Sequence, residues 1–125
     1  MGEIETYFFD TYAFYEIIHG NKNYSKYERG ISIITTKLNL MELHYGLILL
    51  YGKSEADKYY DIFLPFAVDF DDNLIKKANE FRAKNRKLKL SYIDCVGYTL
   101  AATSGVKFLT GDKGFKMFEN VEFVK

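Results

Sequence analysis

Four acidic residues, Asp10, Glu42, Asp94 and Asp112, stand where a carboxylate can do chemistry rather than only solvate a surface. Asp10 directly follows the apolar run Tyr7-Phe8-Phe9, and Asp112 closes Leu109-Thr110-Gly111-Asp112. Glu42 sits among Leu38, Leu43, Leu47 and Leu49, and Asp94 comes three residues after Ser91. Two carboxylates about 4 Å apart repel by roughly 4 kcal/mol at an effective dielectric near 20, so a cluster of them must be neutralised. Protonation with raised, coupled pKa values is one answer; a hard divalent cation with oxygen ligands is the other. Mg²⁺ or Mn²⁺ suits such ligands best, and the chemistry to expect is attack of a metal-activated water on a phosphodiester.

Each acid also has a plainer reading. Capping and the helix dipole account for Asp94 taken alone, and Asp10 and Asp112 suit turns or N-caps. Glu42 resists this treatment, because its helix is apolar around most of its circumference. Gly46, one turn further on, costs roughly 1 kcal/mol relative to Ala and marks a place where another group approaches that stripe closely.

The elements that must position these acids follow from local patterns. A strand over 7–9 turns into a helix over 12–18, ended by Gly20; a β-branched strand over 31–35 leads, through Thr36 or Asn39 as cap, into a helix that runs to Tyr51 and stops at Gly52. Ser54 is placed to cap the next helix, and Phe66-Ala67-Val68 after Pro65 reads as a third strand. Asp71 and Asp72 open a helix whose Leu74, Ala78, Phe81 and Leu88 share one face. Ser91-x-x-Asp94 is a capping-box pattern for a helix through Ala102, ended by Gly105. Strands over 106–109 and 121–124, with a single turn over 113–118 between them, close the chain. Alternating strands and helices imply right-handed crossovers and a mostly parallel sheet covered on both faces. In such sheets ligands bind outside the carboxyl ends of the strands, where Asp10 and Asp112 lie.

Length and composition agree with a single domain over 1–125: 48% of the residues are hydrophobic, and the one cysteine excludes an internal disulfide framework. No export-signal pattern opens the sequence and no apolar stretch is long enough to span a bilayer, so the expected compartment is the cytoplasm. Seventeen cations balance seventeen acids, which removes the argument for a strongly basic nucleic-acid binder, but residues 1–70 carry a net −4 and residues 71–125 a net +4.

Taken in order, Phe9-Asp10-Thr11, Glu42-Leu43-x-x-Gly46, Leu90-Ser91-x-x-Asp94 with Ala101 beyond it, and Thr110-Gly111-Asp112-x-x-Phe115 resemble the four-acid pattern of PIN-domain ribonucleases, especially VapC-type toxins. The likeness covers nearly the whole chain. It implies a three-layer α/β/α sandwich around a parallel sheet of about five strands, and endonuclease activity on RNA dependent on Mg²⁺ or Mn²⁺. It also implies a homodimer and an antitoxin partner. By the same resemblance Asp10, Glu42 and Asp94 bind metal with Asp112 completing the site, and Thr11 and Thr110 support the acids. Tyr12, Tyr98 and Thr99 depart from the small residues common at their positions. A catalytically silent RNA- or protein-binding module, and a housekeeping RNA-processing nuclease without antitoxin, are the alternatives.

Seven cations fall between Lys76 and Lys89 against one acid, Glu80. The tract reads either as a solvated face or as phosphate contacts beside the acidic site, with Arg86, Lys87, Lys89 and also Lys113 as the candidate RNA-binding residues. Tyr12, Phe14, Tyr15, Tyr45, Tyr51, Tyr59 and Tyr60 exceed what one small core needs and predict a partner surface. Gly52-Lys53-Ser54 lacks the upstream glycine spacing of a P-loop, there is no His-Glu-x-x-His, and Cys95 reads as a small packed hydrophobe.

Overall fold

The computed structural model describes residues 4–125. Its centre is a four-stranded, fully parallel sheet in the order β2-β1-β3-β4, built from β1 (Thr6–Phe9), β2 (Ser32–Ile34), β3 (Lys107–Thr110) and β4 (Val121–Phe123). Strand alternation splits the core in two. Tyr7, Phe9 and Leu109 point to one face, where α1 (Thr11–Ile18), α2 (Lys37–Tyr51) and α3 (Lys53–Phe63) cover them. Phe8 and Phe108 stack on the other face at 5.5 Å under α4 (Asp72–Lys84) and α5 (Tyr92–Ser104). The result is the expected α/β/α sandwich.

Helix starts follow side-chain capping. Asp10 caps α1 by accepting from the Thr11 N–H, Thr36 rather than Asn39 caps α2, and Asp71 caps α4. Three local expectations are corrected. Helix α3 begins one residue after Gly52, without a side-chain cap from Ser54. Leu88 lies beyond the end of α4 in a short 3-10 turn and is half exposed, so only Leu74, Ala78 and Phe81 carry that helix face inward. The segment expected as a third strand pairs through one residue only, a parallel bridge between Thr35 and Ala67. Pro65 places Leu64–Phe66 in a 3-10 turn, which takes up the residues a strand would need.

The aromatic surplus also resolves differently from the sequence expectation. Phe14 is fully buried, and Tyr12, Tyr15, Tyr59 and Tyr60 pack partly buried against the first core cluster. Tyr45 and Tyr51 stay exposed, beside Met41, Leu49 and Leu50 on α2. Among the described residues no helix is long and apolar enough to cross a membrane.

Candidate active site at the carboxyl ends of the strands

Parallel pairing of β1 with β3 aligns Phe9 with Leu109, which brings the next residues, Asp10 and Thr110, to the same edge. Asp10 is almost fully buried. Its Oδ1 accepts from the Thr11 N–H at 2.8 Å, and its Oδ2 accepts from the Thr110 hydroxyl at 2.7 Å. The same Thr110 oxygen accepts from the Asp112 N–H at 3.0 Å, so one hydroxyl orients two acids. Burial, and after it the charge of Asp94, pushes the Asp10 carboxyl up to about 7 despite these hydrogen bonds, with Glu42 adding to the rise.

Asp94 completes the predicted capping box: the Ser91 hydroxyl accepts from its N–H, and its Oδ2 accepts from the Ser91 N–H at 3.0 Å. The cap engages one carboxylate oxygen and leaves Oδ1 outside it. Burial is the main reason the Asp94 carboxyl is raised above its ordinary range. Asp112 has the same one-oxygen economy, its Oδ1 accepting from Gly114 N–H at 2.9 Å. Capping and chemistry are therefore compatible readings of these two residues.

All four acids line one cleft of about 620 Å³, with Thr11, Tyr12 and Tyr15 in its wall. Lys113 and Lys125 supply the cations of that wall, and Lys125 Nζ lies 3.5 Å from the Gly111 carbonyl oxygen. Gly111 has no room for a side chain, since a Cβ would lie against the Tyr12 ring and 2.5 Å from the Val124 carbonyl oxygen. Gly46 has a similar reason: the Tyr15 hydroxyl occupies the space a Cβ would take. The close approach to the α2 stripe is thus made by the chain's own tyrosine.

As the side chains stand, no group of three His, Cys, Asp or Glu among the described residues is drawn together tightly enough to ligate one ion directly. The donor set nevertheless suits Mg²⁺ or Mn²⁺. It is all hard oxygen, and Mg²⁺ in particular is held by one or two carboxylates with its remaining ligands water or phosphate. A buried carboxylate among like charges is also the arrangement that a bound cation would relieve.

A model of the PIN domain matches residues 7–121. The chain belongs to the PIN domain family. No curated protein matches this PIN domain in sequence. Among solved structures, VapC20 of Mycobacterium tuberculosis, a sarcin-ricin loop cleaving toxin, is similar with a TM-score of 0.79 and 19% identity, over 95% of this chain and 99% of that one. VapBC2 from Rickettsia felis, bound to a DNA fragment from their promoter, gives 0.72 and 22%, over 94% and 96%. DNA-bound VapBC from Salmonella typhimurium gives 0.69 and 14%, over 96% and 97%. The PIN domain therefore shares the VapC fold along nearly its whole length.

The basic candidates of this PIN domain divide. Lys113 lines the acidic cleft, and Arg86 and Lys89 line a different depression with Arg82. Lys87 lines a further one with Lys84 and Leu88, which Arg86 also borders. Thr11 meets Asp10 through its backbone, while its hydroxyl accepts from the Asn39 amide at 3.2 Å. Asn39, fully buried and also joined to the Thr36 hydroxyl, ties the starts of α1 and α2 together. By sequence Asn39 is only a possible cap, and no local pattern marks Tyr15 or Lys125 as cleft residues. Their roles depend on contacts between remote segments.

Proposed function

We propose that this PIN domain is an Mg²⁺- or Mn²⁺-dependent endoribonuclease, the toxin half of a VapBC-type pair acting in the cytoplasm. The observation that carries this reading is Asp10, buried at the end of β1 with its carboxyl raised to about 7, in a cleft that three other acids share. When bound, the metal supplies Lewis acidity toward a phosphodiester oxygen and lowers the pKa of water. Asp10, Glu42 and Asp94 would hold it, with Asp112 completing the site. Thr110 keeps Asp10 and Asp112 in register, the Ser91 cap keeps Asp94 from rotating, and Lys113 and Lys125 offer charge to the phosphates of the strand. The VapC fold of the solved neighbours supports RNA as substrate and an antitoxin as partner. Exposed Met41, Tyr45 and Leu49, spaced along one side of α2, are apolar surface that either an antitoxin or a second copy of the chain would cover.

The test is cleavage of a mixed structured-RNA pool by purified, antitoxin-free protein with Mn²⁺, with EDTA, and with Asp10→Asn as control. Cutting that needs Mn²⁺ and disappears in Asp10→Asn and Asp94→Asn supports the nuclease. Asp94→Asn is informative because its amide oxygen can keep the Ser91 cap while the charge is lost. Metal-dependent cutting at the wild-type rate by either variant places the site elsewhere.

A further inference from the structure

Two depressions lie on the α4–α5 side, where Leu90 and Tyr92 flank Ser91 of the acidic cleft in sequence. The first, of about 340 Å³, is lined by Arg82, Arg86, Lys89 and Leu90 and by no carboxylate. The second, of about 390 Å³, is apolar, with Phe70, Ala78 and Val96 in its wall. Asn79 and Tyr92 line both. The two depressions are thus contiguous with each other, and Tyr92 directly follows Ser91, which lines the acidic cleft at the start of α5.

The details suit an elongated anion with flat apolar groups. Arg82 donates from Nε to the Leu90 carbonyl oxygen at 2.9 Å, which fixes its guanidinium 4.1 Å from the centre of the Tyr92 ring. Tyr92 remains 64% exposed, so the stacked pair offers an open aromatic surface instead of filling the core. Among the described residues none of Arg82, Arg86 and Lys89 is engaged in an ion pair. Single-stranded nucleic acid is recognised by this combination of unpaired cations that follow the backbone and an aromatic face for the base.

We propose that these two depressions form a subsite for single-stranded RNA, one nucleobase lying in the apolar depression against Tyr92 and its phosphate held by Arg86 and Lys89. Asn79, on the shared rim, is placed to hydrogen-bond the base edge. Arg82 is a positioning residue that holds the tyrosine ring. The choice of RNA over an acidic protein segment rests on the nuclease reading of the acidic cleft; the geometry of the subsite does not.

The experiment is fluorescence anisotropy of a short fluorescein-labelled single-stranded RNA of mixed sequence, titrated with protein in EDTA over a series of salt concentrations. Tyr92→Ala should weaken binding about tenfold, the loss of one stacked base, and Tyr92→Phe should restore it. Arg86→Ala and Lys89→Ala should each flatten the logarithmic salt dependence by about 0.7, the share of one single-strand phosphate. Unchanged affinity in Tyr92→Ala together with unchanged salt slopes overturns the proposal. So does RNA binding that stays intact while Tyr92→Ala alters self-association in sedimentation, which would make the surface a protein interface. Because binding is read without cleavage, the two readings fail separately. A chain that binds through these residues but never cuts keeps the subsite and loses the nuclease, and a chain that cuts while all three alanine variants bind normally does the reverse.

Discussion

The hydroxyl of Thr110 donates to Asp10 at 2.7 Å across 100 residues of sequence and accepts from the backbone of Asp112 at 3.0 Å. Through this one buried group the end of β1 and the end of β3 present their acids in a fixed relation. Replacing it with the isosteric Thr110→Val leaves the Asp112 N–H without this acceptor and Asp10 without its side-chain donor. The expected cost is about 1–3 kcal/mol in denaturant unfolding. Calorimetric Mn²⁺ affinity should fall about 10- to 100-fold, as for other groups that orient metal ligands. Wild-type Mn²⁺ affinity in a destabilised Thr110→Val would show that the hydroxyl serves folding alone.

Asp10 makes the stability of the metal-free protein depend on pH in a defined direction. Its carboxyl titrates at about 7 in the fold against 3.8 for the free group. Between those values the native state binds a proton that the unfolded state releases. The stabilisation is therefore complete below about pH 3.8 and is lost as the pH rises through about 7. At about 1.4 kcal/mol per pKa unit, the difference amounts to a few kcal/mol. In EDTA, Asp10→Asn should raise the Tm near pH ~8, and by clearly less near pH ~5, where only part of the stabilisation has been lost. Adding Mn²⁺ at the higher pH should raise the wild-type Tm but not that of the variant. An Asp10→Asn protein less stable than wild type at both pH values would show that the ionised carboxylate is well accommodated.

Gly46 is explained by Tyr15, whose hydroxyl fills the space of a Cβ. Gly46→Ala should cost about 1–3 kcal/mol through this overlap, even though Ala favours helix. In a Tyr15→Ala background the same substitution should become stabilising by about 1 kcal/mol, since only the propensity difference remains. A double-mutant cycle in urea reads the sign reversal directly. Equal costs in both backgrounds would remove the steric account.

Cys95 is buried in α5, and burial pushes its thiol up to about 11, with Asp94 adding to the rise. A thiol so shielded and so protonated should not react with maleimide or iodoacetamide in the native protein. Modification should appear only with unfolding, at a rate that follows denaturant. Rapid stoichiometric labelling under native conditions would contradict the packed arrangement of α4 on α5.

Much of the site was legible because its determinants are local. An Asp directly after an apolar strand, a Ser91-x-x-Asp94 box and an Asp after Thr110-Gly111 place acids at element ends by capping chemistry, which needs only neighbouring backbone. The layer order was legible too, since strand-helix alternation leaves few parallel arrangements open. Pattern alone misjudged the edges of that sheet. The apolar triplet Phe66-Ala67-Val68 has strand composition, yet Pro65 draws Phe66 into a 3-10 turn and leaves a single bridge to Thr35.

By itself the sequence determined the Asp71 start of α4, the Ser91 box of α5 and that acids would stand at the ends of β1 and β3. Only the tertiary structure decided that Asp10 would be buried and lifted toward neutrality, that Asn39 would join two helix starts, and that Lys125 and Tyr15 would enter the cleft. The physical reason is range: a cap involves residues one to three apart. A carboxylate's desolvation and its remote hydrogen-bond partners depend on the register of strands about 100 residues apart, which no local pattern encodes.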